Sequence, residues 1–136
     1  MRTGRRRVLV VEDDPDIARL VDVSLKRAMP DLETVQTDNG RDAFRLATEG
    51  EFDLAVCDIM LPALDGARLL KMLAQHPTAH RLPIVILSGV DPERLVELKS
   101  LPNVVGHWHK PVDLPVFARA VKRILADNER PKRTQG

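Results

Sequence analysis

The run LAVCDIMLP (residues 54–62) decides how this chain folds. Four small or apolar residues, Leu54 to Cys57, lead directly into Asp58. No polar residue alternates with them, so the run reads as a strand covered on both faces, as in a parallel sheet. A carboxylate at the end of a buried run meets low dielectric and needs a partner, a proton or a metal.

Four more short runs flank it: VLVV (8–11), ETVQT (33–37), IVIL (84–87) and NVVGHW (103–108). Helical spacing lies between and after them, in Ile17, Leu20, Val21, Leu25 and Ala28, and in Leu114, Phe117, Val121, Ile124 and Leu125. DDP (13–15) and VDP (90–92) place an aspartate as N-cap and a proline as first helical residue. TDNG (37–40) and LDG (64–66) are turn signals that open further helices. The sum is five strand–helix units of roughly 20–25 residues. Short connections imply right-handed crossovers and a parallel α/β sheet with helices on both faces.

At 136 residues, 43% hydrophobic and 30% charged, the chain fits one soluble globular domain with a real core. No apolar stretch is long enough for a membrane span, and the basic N-terminal stretch precedes an apolar run too short for a signal sequence. The single Cys57 excludes an intrachain disulfide and suggests a reducing compartment, so a cytoplasmic location is expected. A net charge of +1 gives no general pull toward nucleic acid. The domain is expected to span 6–127, with flexible basic tails at 1–5 and 128–136.

Ligands of open parallel sheets bind beyond the carboxyl ends of the strands. Glu12, Asp13 and Asp14 follow the first run, Asp58 the third, Ser88 and Gly89 the fourth, and Lys110 and Pro111 the fifth. One edge therefore collects carboxylates, a hydroxyl and an ammonium. Clustered carboxylates repel unless a cation joins them, and Mg²⁺ suits all-oxygen ligands. Lys110 can hold a phosphoryl group, Ser88 can donate to it, and a carboxylate in such company is a nucleophile toward phosphorus. A dinucleotide would need a glycine-rich loop where the acids stand.

VLVVEDDP, AVCDIMLPALDG, IVILSG and HWHKPV, in this order, resemble the receiver domain of bacterial two-component response regulators, from about Val8 to about Leu125. The resemblance implies a flavodoxin-like (βα)5 sandwich of strand order 2-1-3-4-5. It implies Asp58 as acceptor of a phosphoryl group from a histidine kinase or histidine phosphotransfer protein. It further implies Mg²⁺ held by Asp13, Asp14, Asp58 and the Met60 backbone carbonyl, with Ser88 and Gly89 at the switch position. Lys110 would contact the phosphoryl group and precede a cis Pro111. The surface of the fourth helix, fifth strand and fifth helix would then meet a downstream protein partner or a second copy. Such a domain assists its own phosphorylation and dephosphorylation and is not otherwise an enzyme.

Two positions depart from the family's pattern. His107 stands where the family has Tyr or Phe as the inward-turning switch ring, and Leu101-Pro102 replaces a Gly-Ala pair, so a fourth helix, roughly 92–99, that is short or oddly placed is expected. The alternative reading is a degenerate receiver used only for docking, whose mark would be a lost acid or lysine. An aspartyl-phosphate phosphatase would need a second acid where Met60 stands. Direct nucleic-acid binding is not expected, because no aromatic or helix-turn-helix element accompanies the basic ends. His76 and His80 carry no supporting pattern, and Cys57 reads as a small buried strand residue.

Overall fold

The computed structural model describes residues 5–61, 64–89 and 92–135. The strands are β1 (Arg7–Val11), β2 (Glu33–Thr37), β3 (Leu54–Asp58), β4 (Ile84–Ser88) and β5 (Val104–His109). The helices are α1 (Pro15–Ala28), α2 (Gly40–Glu49), α3 (Gly66–Gln75), α4 (Pro92–Lys99) and α5 (Leu114–Gln135). All pairings are parallel, in the order β2-β1-β3-β4-β5, which is the expected flavodoxin-like topology.

The apolar runs fill two cores because successive strand side chains point to opposite faces. Leu9, Val11, Ala55, Cys57, Ile84 and Ile86 meet Ala43, Leu69, Leu70, Leu73, Leu95 and Leu98 of α2, α3 and α4. Val8, Val10, Leu54, Val56, Val85 and Leu87 meet Val21 and Leu25 of α1 and Phe117, Val121 and Leu125 of α5. Each such large side chain, fully buried, contributes roughly 1.5–3 kcal/mol. On α1 the buried residues are Ala18, Val21 and Leu25, whereas Leu20, placed on the apolar stripe by spacing, is 52% exposed.

A bulge opposite Ile84 and Val85 shifts β5 by one residue, pairing Val104 with Ile84 and Gly106 with Val85. Val104 therefore packs with the α2–α4 core, while Trp108 packs with the other and meets Phe117 edge-on at 5.3 Å. Helix α4 is short, with eight residues, as Leu101-Pro102 suggested. The proposed cap at Asp91 lies outside the described residues, as do residues 1–4 of the expected N-terminal tail.

Helix α5 runs to Gln135, past the expected domain boundary at 127. Arg, Lys, Glu and Gln favour helix even without an apolar face, whereas Asn128 and Pro131 do not, so composition alone does not set this end.

Candidate functional site

The register brings the acids together. Val11 pairs with Cys57, so the next residues, Glu12 and Asp58, emerge side by side at the strand ends. The Glu12 amide still donates to the Thr37 carbonyl at 3.0 Å, which holds its side chain at the sheet edge. Glu12 and Asp58 are buried, at 4% and 5% exposure. Asp13 is exposed and completes a group whose carboxylate oxygens lie within 4.8 Å of one another.

Lys110 joins this group from the end of β5. Its Nζ donates to Glu12 Oε1 at 2.8 Å and to Asp58 Oδ2 at 3.3 Å. Its amide donates to the Ser88 carbonyl at 2.9 Å, extending the β4–β5 ladder and fixing where the side chain starts. Ser88 is fully buried at the end of β4. The Lys110–Pro111 bond is cis. Gly89 is exposed, and a methyl group there would meet nothing within 4 Å among the described residues.

The loop after Asp58 folds back tightly. The Met60 amide donates to Asp58 Oδ1 at 3.1 Å, and the Gly66 amide to the Ile59 carbonyl at 2.9 Å. A Cβ on Gly66 would lie 2.5 Å from the Asp58 carbonyl oxygen, so only glycine permits this approach.

Charge follows from the geometry. Burial pushes the Glu12 carboxyl up to about 7 from 4.5. The bonds from Lys110 and the Asp14 amide oppose that rise, and the Asp58 charge adds to it. Burial works against the Lys110 ammonium, yet its bond to Glu12 and the charges of Asp58 and Glu12 together raise it. Burial above all, then the Asp58 and Glu12 charges, pushes the Cys57 thiol far up, so it is inert.

The structure corrects one site assignment. Asp14 is not in the acidic group. Its Oδ1 accepts from the amides of Asp16 at 2.9 Å and Ile17 at 3.4 Å, capping α1 ahead of Pro15. The acid pair after β1 is thus Glu12 and Asp13, one residue earlier than expected for Asp13 and Asp14. The signal was present: Asp14 directly before Pro15 is a cap pattern, which leaves the other two acids for the edge.

His107 lies in β5 opposite Ile86, beneath the α2–α4 layer. Its Nε2 is buried without a hydrogen-bond partner among the described residues. Burial, then the Lys99 and His109 charges, lowers its pKa from the usual histidine range. His76 is structural, since its Nδ1 accepts from the Thr78 and Ala79 amides at 3.2 and 3.1 Å. No helix among the described residues is long and apolar enough to cross a membrane.

Comparisons with known proteins agree with this geometry. The family model for the response regulator receiver domain matches residues 8–122. The alkaline phosphatase synthesis transcriptional regulatory protein PhoP of Bacillus subtilis (strain 168) is 35% identical over 124 residues, which are 91% of this chain and 50% of PhoP. The chain spans about half the length of several curated relatives it matches. The Francisella response regulator 1452 receiver domain is 28% identical with a TM-score of 0.79, covering 91% of this chain and 99% of that one. The receiver domain of sensor histidine kinase PA1611 from Pseudomonas aeruginosa is similar in fold, with a TM-score of 0.78 at 22% identity. That likeness covers 90% of this chain and 99% of that one, and that protein has a magnesium ion coordinated in its active-site cleft. With its topology, its acidic edge and its matched residues, this chain belongs to the receiver domain family of response regulators.

Proposed function

We propose that Asp58 accepts a phosphoryl group from a phosphohistidine of a histidine kinase or phosphotransfer protein. The observation that carries this reading is the convergence of Glu12, Asp13, Asp58 and Lys110 at one strand edge. A docking-only receiver would not need to hold buried carboxylates against a lysine.

The donor set fits a hard divalent cation: three carboxylates with oxygens mutually within 4.8 Å, one of them raised in pKa by burial. Glu12, Asp13 and Asp58 would hold Mg²⁺, together with the Met60 backbone carbonyl. Bound there, Mg²⁺ supplies charge neutralisation for the phosphoryl oxygens.

The chain's own residues do the rest. An Asp58 carboxylate oxygen attacks phosphorus, the new P–O bond forms, and the P–N bond to the partner's imidazole breaks, leaving the electron pair on nitrogen. Lys110 Nζ already lies 3.3 Å from Asp58 Oδ2, placed to offset the added negative charge. The Ser88 hydroxyl then turns to the phosphoryl oxygens, with exposed Gly89 leaving the approach open. His107 completes the switch. Its Nε2, unpartnered among the described residues, is a buried cost of about 1–3 kcal/mol that a rearrangement giving it a partner would relieve. The α4, β5 and α5 surface thereby shifts between two populations, and a downstream partner or a second copy binds one better. Such a domain works in the cytoplasm and assists its own dephosphorylation.

Intact mass after incubation with a small acyl phosphate tests the reading. Gain of one phosphoryl group that needs both Mg²⁺ and Asp58 is expected. No gain in folded protein, or equal gain in Asp58→Asn, would overturn it.

A further inference from the structure

A groove on the α2–α3 face takes no part in the Asp58 site. It encloses about 340 Å³ and is lined by Arg41 and Phe44 of α2, Leu64 ahead of α3, and Arg68 and Met72 of α3. Ligand clefts begin at roughly this volume, ~300 Å³.

Its floor is apolar and anchored. Phe44 and Leu64 are partly buried against the core, and Phe44 meets the His76 ring edge-on at 5.9 Å. Helix α2 presses on the floor so closely that a Cβ on Gly40 would lie 2.0 Å from the Leu64 carbonyl oxygen.

Its rim is cationic. Arg41 and Arg68 are exposed, and neither guanidinium has an ion pair or hydrogen bond with a described residue. The neighbouring cations are engaged: Arg45 faces Asp42 at 3.9 Å and Lys71 pairs with Glu97 at 2.8 Å. On each helix the free arginine stands one turn before an apolar lining residue, Arg41 before Phe44 and Arg68 before Met72.

We propose that this groove docks an acidic amphipathic segment of a partner protein. One large apolar side chain would rest on Phe44, Leu64 and Met72, with carboxylates a helical turn away facing Arg41 and Arg68. A groove between neighbouring helices suits the apolar face of a helix. Two unpaired guanidiniums beside it select carboxylates, which they grip in a planar fork, over neutral or basic segments. The small area makes this a weak, transient contact.

The test is an amide-shift titration of the isotope-labelled full chain with a synthetic helical peptide bearing one Phe and a Glu one turn to either side. Shifts confined to residues 41–48 and 64–73 are expected, with Asp58→Asn binding as the unmodified sequence does. The peptide's Phe→Ala and Glu→Lys forms, and the protein's Arg41→Glu/Arg68→Glu variant, should each weaken binding about tenfold or more. Retained phosphorylation by the small acyl phosphate shows that the arginine variant is folded. No groove shifts at millimolar peptide would overturn the proposal, as would shifts indifferent to charge reversal. Equal occupancy by 3-phenylpropionate alone would make it a small-molecule site instead. Self-association in sedimentation that Arg41→Glu/Arg68→Glu abolishes would make the occupant a second copy.

Discussion

At the scale of single residues, Glu12 carries the least expected burden. It is nearly as buried as Asp58, binds Lys110, and has a carboxyl pushed up to about 7. Below pH 4.5 both folded and unfolded chains keep this proton. Between 4.5 and about 7 the unfolded chain has lost it while the folded one still holds it. Stability of the metal-free domain should therefore fall as pH rises through that window, and Glu12→Gln should flatten the fall in urea titrations. An unchanged slope would count against the burial argument. Lys110→Gln should slow phosphorylation about a hundredfold, as loss of one preorganised charge does, and a time course by intact mass checks it. The placement of Asp58, Ser88 and Lys110 at one sheet edge was legible from sequence because each follows an apolar run. Glu12 was not assigned, because Asp14 was counted with the edge acids although its place directly before Pro15 marks it as the α1 cap.

At the scale of elements, Asp14 caps α1 while Glu12, Asp13 and Asp58 gather at the sheet edge. Asp14→Ala should cost about 1 kcal/mol of stability through loss of the α1 cap, with Mg²⁺-dependent phosphorylation intact. Asp13→Ala should do the opposite, staying within about 0.5 kcal/mol of the parent sequence while losing the Mg²⁺ dependence. Thermal melts and mass spectra on the pair decide it, and identical behaviour of the two variants would sink the distinction. Strand and helix positions were legible because unalternating apolar runs fix the buried strands. The β5 bulge was not, since nothing in NVVGHW marks Val105 as the extra residue. Nor was the length of α5, because its last turns carry no apolar stripe and Pro131 reads as a helix stop.

At the scale of the whole molecule, one sheet with a core on each face should unfold in a single transition. Trp108 packs on Phe117 in the α1–α5 core, so its fluorescence should track far-ultraviolet circular dichroism through urea unfolding. Mg²⁺ at a hundred times its dissociation constant should add about 2.7 kcal/mol to folded stability. That increment should vanish in Asp58→Asn if the acidic group is the binding site. The parallel topology was legible because short connections between buried strands leave few alternatives. The α2–α3 groove was not, because Arg41 and Arg68 meet only after α2 settles against Leu64.

Asp58 itself is proposed to take the phosphoryl group. Borohydride reduction of the phosphorylated chain, followed by peptide mass mapping, tests this most directly, since an aspartyl phosphate is reduced to homoserine. Homoserine at position 58 alone, and only when Mg²⁺ was present, is the expected result. Homoserine at position 12, 13 or 14, or a stable phosphoryl group that resists reduction, would contradict it.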